Sequence, residues 1–94
     1  MEGDLPLDQQ QAEQLHWQQS KQGSLMMWVV TWNSRDYPWQ AVARPTLIRN
    51  GQDYKLRAIL RADSVRHLRE MLPRQLTRIE RHPEDDPVIM EVWL

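Results

Sequence analysis

Residues Leu25-Met26-Met27-Trp28-Val29-Val30-Thr31-Trp32 constrain this chain more than any other stretch. The run is β-branched and aromatic in character, and it is apolar at odd and even positions alike. A strand of that composition has no face to give to water, so it belongs in the middle of a sheet with cover on both sides. It is too short to span a bilayer, so no membrane partner is expected. A chain of 94 residues has room for one such core.

The residues after it supply neighbours. Asn33-Ser34-Arg35-Asp36-Tyr37-Pro38 has the composition of a loop. Ala41 to Ile48 reads as a second strand, placed at an edge or a bulge because Pro45 cannot donate to a ladder. Asn50-Gly51 is the strongest turn signal, since both residues tolerate positive φ. It leads into a third strand, Tyr54 to Ala62, with alternating apolar and basic positions. The period then changes. Asp63 or Ser64 caps a helix reaching about Leu72, with Val65, Leu68, Met71 and Leu72 as its buried stripe, and Pro73 ends it. Gln75 to Arg81 is a fourth strand and Val88 to Leu94 a fifth. The expected fold is α+β, in the order β-β-β-α-β-β: a mainly antiparallel sheet with one helix packed on one face.

Residues 1–24 differ in character. They carry seven glutamines and a thin apolar face of Ala12, Leu15 and Trp17. Asp8 is positioned to cap a helix from Gln9 to about Lys21, but an isolated helix of that length is marginal in water. This segment reads as a Gln-rich extension, mobile or weakly helical, that Gly23-Ser24 separates from a single domain over residues 25–94.

Composition removes several function classes. There is no cysteine, which excludes disulfides, thiolate metal sites and a cysteine nucleophile. The acidic start lacks an apolar signal segment, so a cytoplasmic location is expected. With three glycines, at positions 3, 23 and 51, no phosphate-cradling loop or dinucleotide turn can be drawn. No catalytic residue is nominated and no cofactor is expected.

From Met26 onward the chain resembles a group of small uncharacterised proteins of bacterial and phage genomes. The residues that carry this are Trp28-Val29-Val30, Asp36-Tyr37-Pro38, Val42-Ala43-Arg44, Ala62-Asp63-Ser64, Leu72-Pro73 and, most specifically, the ending Arg81-His82-Pro83-Glu84-Asp85-Asp86-Pro87-Val88-Ile89-Met90-Glu91-Val92-Trp93. The resemblance covers about three quarters of the chain and makes residues 1–25 an extension. It implies an accessory or host-interaction protein, and it brings no activity or catalytic residue with it.

Three readings of function remain. The first is a non-enzymatic interaction protein, acting on a protein partner or on a second copy as a homodimer. Arg35, Tyr37 and Trp39 in the aromatic loop, with Arg44 on the next strand, have the composition of an interface hot spot; the alternative for Trp39 is a plug over the sheet edge. The second is nucleic-acid binding through Arg57, Arg61, Arg66 and Arg69. Residues 44–81 hold ten basic side chains against four acidic ones, although the whole chain carries a net charge of −1 and no RNA- or DNA-binding motif. The third is a metal site or small enzyme built on the loop His82-Pro83-Glu84-Asp85-Asp86, whose oxygen ligands and imidazole suit a divalent cation. The alternative there is a solvated turn with carboxylates capping backbone amides. Among the histidines, His67 is expected beside the helix stripe, and His16 and His82 on the surface.

Overall fold

A computed structural model describes residues 3–94. Its elements are β1 (Leu5–Pro6), α1 (Gln9–Lys21), β2 (Leu25–Trp32), β3 (Ala41–Arg49), β4 (Gln52–Lys55), β5 (Ala58–Ala62), α2 (Val65–Met71), β6 (Arg78–Glu80) and β7 (Ile89–Trp93). The α+β class stands, but two helices are present. The expected order with one helix gives way to β-α-β-β-β-β-α-β-β.

The main path of the sheet runs β1-β5-β3-β2-β7-β6, with β4 alongside β3. All pairings are antiparallel except β1 with β5. The Leu25–Trp32 run is central in the strand order, between β3 and β7, but the expected cover on both faces is not found: Met26, Trp28 and Val30 are buried, whereas Leu25 is exposed and Met27 and Val29 are half-buried on the opposite face. The register puts Met26, Trp28 and Val30 on one face with Leu47, Pro45, Ala43, Ala41 and Leu60. Both helices pack on that face, where Ala12, Leu68 and Leu72 complete the core.

Pro45 is not at an edge. It is fully buried in a strand with neighbours on both sides, opposite Trp28. The expected third strand accommodates it by breaking. Ala41–Ala43 pair with β5 and Thr46–Arg49 pair with β4, so Leu56 and Arg57 form a gap beside Arg44 and Pro45. A residue with no N–H sits where no ladder bond is asked of it. Asn50 and Gly51 make the expected turn between β3 and β4, both at positive φ.

The amino-terminal segment is a docked helix rather than a loose extension, although residues 1 and 2 of it lie outside the described residues. Asp8 and Gln11 form a reciprocal capping box at 2.8 and 2.9 Å. Ala12 and His16 are buried against the sheet. In α2, Ser64 caps the His67 amide at 3.1 Å and Leu68 is the buried side chain of the helix. His67 is exposed rather than set beside the stripe. Truncating Leu68 to Ala would cost roughly 3 kcal/mol by transfer and cavity terms.

The last strand carries a bulge. Val30 faces Glu91 and Thr31 faces Ile89, leaving Met90 as the extra residue. Glu91 thereby lies on the helical side, almost fully buried. Arg69 of α2 meets it bidentately, Nε to Oε1 at 2.8 Å and Nη2 to Oε2 at 2.7 Å, and Trp93 Nε1 donates to Oε1 at 2.9 Å. These bonds fasten α2 to the end of the sheet and hold the Glu91 carboxyl below its usual pKa, chiefly through Arg69.

Candidate functional site

The segment 33–40 joins β2 to β3 and is closed at its base by Asn33, whose amide donates to the Gln40 carbonyl at 3.0 Å. The Asn33 side chain accepts from the Trp39 amide at 2.8 Å. Both residues hold left-handed backbone, Asn33 at φ 55° and Trp39 at φ 61°. Asparagine tolerates that region; a tryptophan there carries steric strain of order 1–2 kcal/mol. Burial does not offset it, because Trp39 is 73% exposed. The alternative of Trp39 as a plug over the sheet edge is therefore not what the fold contains.

Tyr37 behaves differently. It is half-buried, and its hydroxyl donates to Asp4 Oδ2 at 2.9 Å. Asp4 also pairs with Arg44 Nη1 at 2.9 Å, and Asp36 stands 3.8 Å from the same guanidinium. Arg44 and Arg61 each place their guanidinium carbon 5.6 Å from the centre of the Tyr37 ring. Arg44 above all holds the Asp4 carboxyl below its usual pKa; burial opposes it, and the Tyr37 phenol adds a lesser lowering. Burial and the Asp4 charge raise the Tyr37 hydroxyl, which stays protonated as a donor. The network borders an open depression of about 620 Å³ lined by Gly3, Asp4, Asp36, Tyr37, Arg44, Lys55 and Leu56.

The four residues nominated from sequence thus fall into two pairs. Arg35 and Trp39 are exposed, whereas Tyr37 and Arg44 are engaged with Asp4. Sequence reasoning missed Asp4 because it lies in a segment read as an extension. No local pattern links it to residues more than thirty positions away.

The Arg-rich set is divided between layers. Arg61 pairs in register with Val42, on the face without helices, and stacks on Tyr37. Arg66 is exposed on α2, in the helical layer, and Arg69 of the same helix is committed to Glu91. Arg57, just before β5, adds to the field that lowers the Asp4 pKa. These four do not form one continuous strip.

In the His82–Asp86 loop, Asp85 accepts from the His82 amide at 2.8 Å, Asp86 from the Val88 amide at 3.1 Å, and His82 Nδ1 from the Glu84 amide at 3.1 Å. Asp85, Asp86 and the His82 ring are thus engaged in capping backbone, and the Glu84 carboxylate stands 3.6 Å from His82 Nδ1. Among the described residues, no three His, Asp or Glu are gathered as a metal site.

The helix-free face of the sheet is the second notable surface. Leu25 and Ile79 are 47% and 46% exposed. Met27, Val29, Ile48, Ile89 and Val92 are half-buried on the same side by register. No helix among the described residues is long and apolar enough to cross a membrane. Comparison with known protein families, curated proteins and solved structures gives no match to this chain.

Proposed function

We propose that this chain is a cytoplasmic, non-enzymatic interaction module whose recognition surface is the Asn33–Gln40 loop and the adjoining Arg44. The observation that carries the reading is Trp39: a large residue left about three-quarters exposed, on a strained backbone that a side-chain hydrogen bond keeps in place. Strain of this kind survives where function calls for it, and exposed Trp beside Arg is the composition of an interface anchor. The resemblance to small bacterial and phage proteins points to a host regulatory or defence protein as the partner class.

Matched baits test it. Wild-type chain, Trp39→Ala and Arg35→Ala are immobilised at equal density, and bacterial lysate proteins retained by each are compared. A protein retained by wild type and lost with Trp39→Ala, while that variant keeps its circular dichroism and melting temperature, supports the reading. Identical retention by wild type and a folded Trp39→Ala overturns it.

A second reading, self-association, is favoured by the apolar side chains on the helix-free face. Sedimentation velocity over a concentration series checks it: a dimer that Leu25→Lys with Ile79→Lys dissolves supports it, and a monomer at all concentrations rejects it.

A further inference from the structure

Residues Asp4 to Leu7 behave as a peptide that the chain presents to itself. They run parallel to β5 and bond to its edge through two amides, Leu5 N–H to the Arg57 carbonyl at 2.6 Å and Leu7 N–H to the Ile59 carbonyl at 2.8 Å. Pro6 between them has no N–H to give. Leu5 is 64% exposed, so the apolar hold on the segment is confined to Leu7, half-buried against the core. Its firmest attachment is the Asp4 carboxylate, set between Arg44 and the Tyr37 hydroxyl.

The segment is also separable from helix α1 beyond it. The capping box of α1 is made by Asp8 and Gln11, and the helix is docked by Ala12 and His16. Lifting residues 4–7 leaves the capping box and these two side chains in place and gives up the core contact of Leu7. It would expose an unpaired strand edge, a phenol donor and the Arg44 guanidinium, beside the already exposed Arg61. Those groups accept an extended backbone with a carboxylate at one fixed position.

We propose that the β5 edge, with Arg44 and Tyr37, is a docking site for an extended acidic segment of a partner protein, and that Asp4–Leu7 closes this site until the partner displaces it. The inference rests on reading this face as protein-binding and names the partner's chemistry: an Asp or Glu leading an extended apolar stretch, added parallel to β5. The exchange replaces like bonds with like, so the tethered segment competes at an effective concentration of order mM. A natural partner must add contacts beyond the strand, and Trp39 in the neighbouring loop offers them. Weakening the Asp4 anchor should open the site to a free peptide.

The test titrates ¹⁵N-labelled full chain, as wild type and as Asp4→Lys, with a synthetic peptide of sequence Gly-Asp-Leu-Pro-Leu and with its Asp-to-Lys counterpart. The expected result is saturable shifts of the Ala58, Ile59 and Leu60 amides in Asp4→Lys, at about tenfold lower peptide concentration than in wild type. The Lys peptide should give none, and adding Arg44→Glu should abolish the response. If Asp4→Lys gives a poorly dispersed spectrum, Asp4→Asn takes its place. Equal shifts from both peptides, or none from either in a folded variant, overturn the proposal. Concentration-dependent shifts at β5 without peptide would assign the edge to residues 4–7 of a second copy and overturn it as well. Loss of peptide binding alongside intact Trp39-dependent retention removes only the acidic-strand inference; loss of both removes the underlying reading too.

Discussion

The indole N–H of Trp28 donates to Nδ1 of His16 across 3.0 Å, in a site closed to solvent. This bond joins the amino-terminal helix to the central strand and gives the most buried tryptophan its partner. It also fixes the imidazole as the neutral tautomer protonated at Nε2, since Nδ1 must accept. Replacing His16 with Ala leaves a buried donor without an acceptor and opens a small void. The expected loss is about 2 kcal/mol, read as a lowered urea midpoint. A variant as stable as wild type would show that α1 is only loosely seated.

The same bond makes stability depend on pH. Burial holds the His16 pKa below its ordinary value, with the Glu13 charge partly opposing it. The unfolded chain therefore takes up the proton first on acidification. Stability from this group is complete above about pH 6.5 and declines as pH falls from there toward the folded-state pKa. Urea midpoints at about pH 7.5 and 5.5 should differ in wild type, and the difference should shrink in His16→Ala. Glu91 acts lower: its folded-state pKa is depressed, so its contribution is present above the ordinary carboxyl value and is lost as pH drops through the folded one.

The Arg69–Glu91 pair is asymmetric, because the Arg69 side chain is 42% exposed and that of Glu91 only 4%. Arg69→Ala strands a buried carboxylate, with Arg78 at 3.6 Å as a poor substitute. Glu91→Gln strands only a guanidinium that water can reach. The arginine variant should be the more damaged of the two, losing about 2–3 kcal/mol, less than for a fully enclosed pair. Comparison of their chemical denaturation midpoints decides it, and the reverse order would contradict the assigned burial.

Trp39→Gly should stabilise the fold. Glycine occupies φ 61° without steric cost, and the exposed ring leaves no cavity behind. The relieved strain outweighs the greater unfolded-state freedom of glycine, and a net gain of up to about 1 kcal/mol, or at most roughly 4–8 °C in Tm for a chain of this size, is expected by scanning calorimetry. Partner retention should be lost at the same time. A fall in Tm would mean that the ring supports the loop.

Asp8→Ala removes the N-cap and one half of the capping box. The expected cost is about 1 kcal/mol. Because α1 contributes Ala12 and His16 to the core, the loss should appear in the global thermal transition and not as local fraying.

Much of the fold was legible wherever local chemistry decided it. The central strand, the Asn50-Gly51 turn, the Ser64 cap with its Val65, Leu68 and Leu72 stripe, and the Asp8 cap are each set by neighbouring residues. The features that escaped depended on distant ones. The amino-terminal helix shows a thin apolar face because one of its two buried residues is a histidine, satisfied only by an indole from another element. Pro45 suggests an edge until the break at Leu56 and Arg57 is seen beside it. The exposed pair Arg35 and Trp39 was visible in composition. The Asp4 contact to Tyr37 and Arg44 was not, since an ion pair across the fold leaves no periodic trace.

The position of β2 between β3 and β7 has a consequence for synthesis. One flank of the Leu25–Trp32 strand finds its partner soon after translation, while the other must wait for Ile89–Trp93 to leave the ribosome. Through that interval a hydrophobic edge stays bare, and a nascent chain in that condition is a natural client for chaperones.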